Sequence, residues 1–203
     1  MRTVPTRVER QARTRDGLVD AAERLFSARG FDATVLDAVA DEAGYTKGAV
    51  YSNFSSKEDL FFAVYERRLE RFLASAQRTL AGGNDLVTGL LRLVGEAGAR
   101  RERDDGWLAV FLEFWTHVLR HPEHRERFAA IHARAAEPFV AAMERLAAAR
   151  GARLPVDARR LSVAMFAMTT GLGLERLTQP DVVDADLAVT MTRLWIDVLM
   201  PED

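Results

Sequence analysis

Apolar residues recur at helical spacing along almost the whole chain. Near the N terminus, Leu18, Val19, Ala22, Leu25 and Phe26 are spaced so that they share one face of a helix. No segment shows the strict apolar–polar alternation that is typical of a half-buried strand. The pattern therefore predicts an all-α protein of about nine helices.

Glycines and prolines mark the ends of these helices. The first helix is expected to end at Gly30, a residue type that is favoured just past a helix terminus. Thr34 is expected to cap a short second helix that ends at Gly44, and a third short helix is expected over 46–54. A long helix then leads to Gly82-Gly83, the predicted joint inside the larger part of the molecule. Further helices are predicted over 84–102, 105–120, 122–149, 157–178 and 184–199.

Residues 34–57, TVLDAVADEAGYTKGAVYSNFSSK, have the length of a helix-turn-helix unit with its turn at Gly44-Tyr45. In such a unit the second helix enters the DNA major groove, and its N-terminal residues contact base edges. Gly48 has no side chain, so the backbone can approach the duplex there. Lys57 lies at the start of the next helix, where its ammonium can meet a phosphate. The candidate DNA-binding residues are Thr34, Thr46, Lys47, Gly48, Tyr51, Ser52, Asn53 and Lys57.

The segments AERLFSARGFDATVLDAVADEAG and YTKGAVYSNFSSKEDLF carry a family resemblance. Residues from about 10 to 65 resemble the N-terminal domain of the TetR family of transcriptional regulators. The resemblance implies a homodimer with a DNA-binding domain over 1–55 and an effector-binding and dimerisation domain over 56–203. It also implies that Thr46, Lys47 and Gly48 open the recognition helix, and that Tyr51 and Lys57 contact phosphates. Ser52-Asn53 departs from the family, in which many members carry a His or an aromatic residue there.

The chain has no overall basic excess, since its formal net charge is −2. Residues 1–15, however, contain five arginines and only one acidic residue, Glu9. This arm is either a solvated, disordered tail or a segment that lies along the minor groove or the DNA backbone. Both interpretations fit the sequence equally well.

The predicted helix over 105–120 is apolar on two faces and rich in aromatic residues. A helix of this kind suits the wall of a ligand cavity between helices, and the alternative is a filled core. The family resemblance favours the cavity, and methionines elsewhere can adapt to varied apolar ligands. The candidate residues for an apolar or aromatic effector are Trp107, Phe111, Phe114, Trp115, Phe139, Met165, Phe166 and Met168.

The helices over 157–178 and 184–199 are the candidate dimer interface. Gly171 and Gly173 allow close helix approach, and Leu187, Met191, Leu194, Trp195 and Val198 form a broad apolar stripe. Two such helices from each subunit would form a four-helix bundle across a two-fold axis. The alternative is that both helices pack inside one chain.

Several classes of function lack their sequence signals. The chain has no cysteine, which excludes disulfide and thiolate chemistry. We expect neither a membrane span nor a secretory signal, and therefore a cytoplasmic protein. Glu113, His117 and His121 have a spacing that can bind a metal from one helix face, but they do not form an HExxH motif. No metal, no cofactor and no enzymatic activity are expected.

The sequence thus predicts a ligand-responsive, DNA-binding transcriptional regulator. We expect a repressor that a small hydrophobic effector releases from a palindromic operator in double-stranded DNA. The first alternative is an activator or an effector-independent regulator of the same fold. The second is an all-α small-molecule carrier or enzyme in which the helix-turn-helix is incidental.

Overall fold

The computed structural model describes residues 6–81, 85–103, 105–184 and 186–201. Within these ranges it contains nine α-helices and one short 3-10 turn, which confirms the predicted all-α fold. The helices are α1 (Arg7–Arg29), α2 (Leu36–Ala43), α3 (Lys47–Asn53), α4 (Lys57–Ala81), α5 (Leu86–Arg103), α6 (Asp105–Arg120), α7 (Arg125–Ala149), α8 (Ala158–Thr178) and α9 (Leu187–Leu199). The predicted joint at Gly82-Gly83 lies outside the described residues.

Two glycines end the first two helices, as the sequence predicts. Gly30 has φ 85° and its N–H donates to the Phe26 carbonyl. Gly44 adopts the left-handed conformation with φ 71°, and its N–H donates to the carbonyls of Ala40 and Asp41. Because a side chain is disfavoured at positive φ, glycine stops both helices at defined residues.

The structure corrects the predicted role of Thr34. The N-cap of α2 is Val35, which makes no side-chain capping bond. Thr34 is 1% exposed, and its hydroxyl donates to the carbonyl of Gly30 at 2.7 Å. The hydroxyl stabilises the turn between α1 and α2, and a contact of Thr34 with DNA stays a prediction.

Most of the arginine-rich N terminus is helical, which contradicts the disordered-tail alternative for the described residues. Thr6 and Glu9 form a capping box, in which each side chain accepts a hydrogen bond from the backbone N–H of the other residue. This cap satisfies free donors at the helix start, so α1 begins at Arg7. Arg7, Arg10, Arg13 and Arg15 therefore lie on a helix, while Arg2 lies outside the described residues.

The described residues form two compact packing units, which share the long helices α4, α6 and α7. The first comprises residues 1–68 and 109–128, and the second comprises 69–108 and 129–203. The first unit thus extends beyond residue 55, because aromatic side chains of α4 and α6 complete its core. The assignment of DNA binding to 1–55 and of effector binding to 56–203 stays a prediction.

The second unit has its own apolar core, built from α5, α7, α8 and α9. Its most buried members include Leu90, Ala142, Ile196 and Met200, each no more than 2% exposed. Leu161 and Met165 of α8 close the same core. Among the helices in the described ranges, none is long and apolar enough to cross a membrane.

Candidate nucleic-acid interface

The α2–α3 pair is held at a tight turn by its inward-facing residues. Val39 and Ala40 of α2 and Val50 of α3 are completely buried, and Phe54 after α3 is 1% exposed. The Tyr45 N–H donates to the Ala40 carbonyl at 2.9 Å, which closes the turn. The small side chain of Ala40 fits between the two helices at this turn.

The N terminus of α3 is exposed and capped. Thr46 is the N-cap, and its hydroxyl accepts a hydrogen bond from the Ala49 N–H at 3.3 Å. Lys47 and Gly48 follow on the exposed surface. A Cβ atom added at Gly48 would lie no closer than 3.9 Å to its nearest neighbour, the Thr46 hydroxyl. Nothing inside the described part of the protein therefore requires a glycine at position 48.

Asp37 of α2 organises two of the predicted DNA-reading side chains. Its carboxylate lies 2.6 Å from the Lys47 ammonium and accepts a 3.4 Å hydrogen bond from the Tyr51 hydroxyl. The hydrogen bond and the charge of Asp37 raise the pKa of Lys47. Tyr51 is 60% exposed, so its ring is presented on the surface beside Lys47.

Ser52 and Asn53 lie at the end of α3, and their side chains hydrogen-bond within the helix. The Ser52 hydroxyl donates to the Ala49 carbonyl at 3.0 Å, and the Asn53 amide donates to the same carbonyl at 2.8 Å. Ser52 is exposed and Asn53 is half-buried. These bonds tie both residues to the helix that carries them, and their contact with DNA stays a prediction.

Lys57 is held by the backbone of another segment. Its ammonium donates to the carbonyls of Phe31 and Asp32 at 3.0 and 3.1 Å, and it lies 4.4 Å from the centre of the Phe31 ring. An ammonium carries three donors, so two of them are used inside the protein. The predicted phosphate contact of Lys57 would have to use the third.

Arg15 supports the end of the recognition helix, a role that the sequence does not indicate. Its guanidinium donates to the Asn53 carbonyl at 3.1 Å and lies 4.4 Å from the centre of the Phe54 ring. A cation near a helix C terminus is favoured by the helix dipole. This arginine is therefore part of the folded unit and not of a loose arm.

Three of the predicted effector-binding residues pack in the aromatic core of the first unit. Phe114 is 0% exposed, with its ring centre 3.9 Å from Phe61 and 5.0 Å from both Phe31 and Phe62. Phe111 and Trp115 contact each other and Phe128 at the edge of this cluster. Phe114 therefore packs as a core residue, because aromatic rings surround it on several sides.

The other predicted effector residues belong to the second unit. Phe139 and Met165 lie in its buried core, and Met168 packs against it. Phe166 contacts the ring of His132 at 4.9 Å, and Trp107 is half-buried. The structure therefore distributes the eight candidates over two units and does not gather them in one. A ligand contact at any of them stays a prediction.

An open groove of about 410 Å³ occurs in the second unit between α4 and α7. Its apolar wall is formed by Leu73, Leu80, Ala81, Pro138 and Ala141. Gln77, Glu137 and Arg145 supply polar groups. None of the eight candidate residues lines this groove, because the sequence pattern of α6 says nothing about the facing surfaces of α4 and α7.

The residues with metal-ligand spacing on α6 have different roles. The Glu113 carboxylate accepts a 2.6 Å hydrogen bond from the Phe31 N–H. His117 lies 3.5 Å from Glu58, and burial together with the neighbouring charge of His121 lowers its pKa. Within the described ranges, no three His, Asp or Glu residues are grouped so that they could hold a metal ion.

The burial of His132 is expected to make the stability of the second unit depend on pH. Burial lowers its pKa from 6.5 to about 4, so the folded protein holds the neutral ring in a range where the unfolded chain binds a proton. Stability due to this residue is complete above pH 6.5 and is lost as the pH falls towards 4, by about 1.4 kcal/mol per pH unit. We expect His132→Leu to flatten the decline of the unfolding free energy between pH 6.5 and 5, measured by urea denaturation.

A matched control is Val156→Ala in the same packing unit, which changes a 39% exposed apolar side chain and no titratable group. It should keep the pH dependence of the native protein. An equal slope in the native protein and in His132→Leu would contradict the assignment.

Comparison with known proteins places this geometry in a family. The family model described as "Bacterial regulatory proteins, tetR family" matches residues 18–64, which contain α2 and α3. A second model, described as "BetI-type transcriptional repressor, C-terminal", matches residues 87–201. Together they cover the whole helix-turn-helix unit over 34–57 and nearly all of helices α5 to α9.

Individual relatives agree with these matches. The HTH-type transcriptional regulator TtgR of Pseudomonas putida is 32% identical over 185 residues, 87% of this chain and 86% of TtgR. The HTH-type transcriptional activator FasR of Mycolicibacterium smegmatis is 35% identical over 71 residues, so the match spans only 32% of FasR. The crystal structure of a putative transcriptional regulator from Saccharomonospora viridis in complex with choline has a TM-score of 0.73 at 22% identity, over 92% of this chain and 96% of that one.

Proposed function

The chain belongs to the TetR family of bacterial regulatory proteins and is a helix-turn-helix transcriptional regulator, and on this premise we propose that it is a repressor. A palindromic DNA operator is its target, and a small apolar effector releases it. The observation that carries this proposal is the exposed, capped N terminus of α3. Lys47 and Tyr51 lie on this helix on either side of Gly48 in sequence. No contact within the described residues requires a glycine at position 48.

The distribution of charge at α3 supports operator reading over non-specific attachment to DNA. The Asp37 carboxylate lies 2.6 Å from the Lys47 ammonium, so it holds this cation at a defined position and offsets its charge. A phosphate contact fixes the register of a protein on the duplex, while base-edge contacts supply sequence information. Gly48 admits the backbone to the groove between these contacts.

An exposed apolar surface on α8 and α9 supports a homodimer. Val163, Leu174 and Leu177 of α8 are 65%, 39% and 44% exposed, and Leu194 and Val198 of α9 are 50% and 78% exposed. Large apolar side chains of this kind are favoured in contact with a partner. Two copies joined here would present two recognition helices to successive major grooves, about 34–36 Å apart.

The groove between α4 and α7 is the site that we propose for the effector. Its wall is apolar, which favours a small apolar ligand, and Arg145 and Glu137 at the groove suit one polar end. The same helix α4 carries Leu73 and Leu80 in the groove and begins at Lys57, three residues after Phe54 at the end of the helix-turn-helix. A ligand that prefers a shifted α4 by a few kcal/mol would therefore alter the spacing of the recognition helices.

The test is selection of sheared genomic DNA by the purified protein, followed by sequencing over a salt series. We expect enrichment of one palindrome, with an affinity that falls steeply as salt rises. The double substitution Thr46→Ala with Lys47→Ala should abolish this enrichment and leave the thermal unfolding temperature within a few degrees. Arg120→Ala at the end of α6, where the residue is exposed, is the control for the loss of one positive charge.

Selection of the same palindrome by the Thr46→Ala, Lys47→Ala protein would contradict the proposal, and so would the absence of any enriched site. A promoter fusion then separates the two directions of regulation. If transcription from the fused promoter rises when the gene for this protein is deleted, the result supports a repressor. Transcription that falls supports the activator alternative, a role that the name of FasR gives to that relative.

A further inference from the structure

The turn between α1 and α2 is held by two opposite charges from two other helices. Glu113 of α6 accepts hydrogen bonds from the N–H groups of Phe31 and Asp32 at 2.6 and 3.4 Å. Lys57 of α4 donates to the carbonyls of the same two residues at 3.0 and 3.1 Å. All four backbone groups of Phe31 and Asp32 are thus bound by one carboxylate and one ammonium.

The neighbouring residues leave this turn little freedom. The Phe31 side chain is 1% exposed, and its ring lies 5.0 Å from Phe114 and 5.4 Å from Phe61. Gly30 has a positive φ, and a Cβ atom added there would lie 2.8 Å from both Glu113 oxygens. A side chain at position 30 would therefore displace the Glu113 carboxylate and would be strained by the positive φ.

We propose that Glu113 and Lys57 are positioning residues for operator reading. They act on the turn that leads into α2, and α2 in turn carries Asp37, the partner of Lys47 and Tyr51. This inference rests on the proposed function, since it assigns the two residues to the reading of the same DNA site. Neither residue needs to touch DNA for this role.

The physical reason is preorganisation. Charged hydrogen bonds to backbone groups are stronger than neutral ones, so the pair holds the start of α2 in one orientation before DNA arrives. Without the pair, the helix-turn-helix unit samples more orientations, and binding must offset the loss of that freedom. Affinity for the specific site falls, whereas binding to unrelated DNA, which depends on phosphate charge, changes little.

The test is a double-mutant cycle in the full-length protein with Glu113→Gln, Lys57→Met and the combined variant. Fluorescence anisotropy measures binding to the palindrome selected from genomic DNA and to a scrambled duplex. We expect each single variant to bind the palindrome roughly tenfold more weakly, and the combined variant to lose little more, because both act through one turn. Glu113→Gln should lose less than Glu113→Ala, since its amide oxygen can still accept from Phe31.

The salt dependence distinguishes positioning from a direct phosphate contact of Lys57. A positioning residue leaves the slope of log affinity against log salt unchanged. A phosphate contact lowers the slope by about 1 on removal of Lys57, and its effect adds to that of Glu113→Gln. Additive effects with a lowered slope would overturn the proposal for Lys57. Unchanged operator affinity in Glu113→Ala would overturn it for Glu113.

Hydrogen exchange of the free protein provides a measurement that does not need an operator. We expect the amides of residues 36–53 to exchange several-fold faster in Glu113→Ala than in the native protein. Glu123→Gln, which removes a carboxylate that is 62% exposed in the same packing unit, is the control and should exchange as the native protein does. Equal exchange in Glu113→Ala overturns the proposal that Glu113 holds α2 and α3. A native protein that selects no DNA site overturns the proposed function, and the role in operator reading falls with it, but the effect on exchange does not.

Discussion

Phe114→Ala is expected to lower the free energy of unfolding by about 3–5 kcal/mol, as is typical of a fully buried aromatic side chain. The ring is completely buried and contacts Phe31, Phe61 and Phe62 from the turn after α1 and from α4. Its removal leaves a cavity where three parts of the first unit meet. Urea denaturation followed by circular dichroism measures the loss.

The same helix offers a matched control. Leu119 also lies on α6 but is 59% exposed, so Leu119→Ala should change stability by less than about 0.5 kcal/mol. Phe114→Leu, which keeps part of the volume, should fall between the two. A loss below about 1 kcal/mol in Phe114→Ala would show that the site collapses easily. That result would contradict the packing role assigned to Phe114.

Gly48→Leu is expected to weaken operator binding by roughly 100-fold, about 2.7 kcal/mol, while the protein remains folded. A side chain at this position meets no close neighbour in the protein, because the nearest atom to an added Cβ is the Thr46 hydroxyl at 3.9 Å. In the complex with DNA, however, a side chain at position 48 would lie between the backbone of α3 and the major groove. Anisotropy with the selected palindrome measures the loss.

Gly48→Ala separates the effect on DNA from the effect on folding. Alanine favours a helix over glycine by about 0.5–1 kcal/mol, so this variant should unfold at a higher urea concentration than the native protein. Its operator affinity should nevertheless fall. If both variants keep native operator affinity, then the recognition helix does not approach DNA at Gly48, and the orientation that we propose for α3 is wrong.

The helix boundaries were predictable to within a few residues because local signals determine them. Gly30 and Gly44 end helices through their backbone freedom, and α6 begins and ends at the residues expected from its apolar pattern. The helix-turn-helix could be found for the same reason, since its turn and its short helices depend on neighbours in sequence. Thr34 is the exception: its hydroxyl binds the Gly30 carbonyl, a contact that capping rules do not anticipate.

The roles of the charged residues could not be predicted as well from the sequence. Lys57 was expected at a phosphate, because its place at a helix start suggests one. In the folded protein its ammonium donates to the carbonyl of Phe31, a residue 26 positions earlier in the sequence. Glu113 had the spacing of a metal ligand, whereas its carboxylate binds an amide 82 residues away. Spacing along one helix cannot reveal partners that come from another.

The amino-acid sequence by itself determined the all-α class, the helix ends and the position of the recognition helix, because periodicity, glycine conformation and capping act over a few residues. Only the tertiary structure decided which side chains meet. It placed Phe114 in a ring cluster, opened a groove between α4 and α7, and set Glu113 and Lys57 on opposite sides of one turn. These contacts join segments that are far apart in sequence, and they form only when the helices pack.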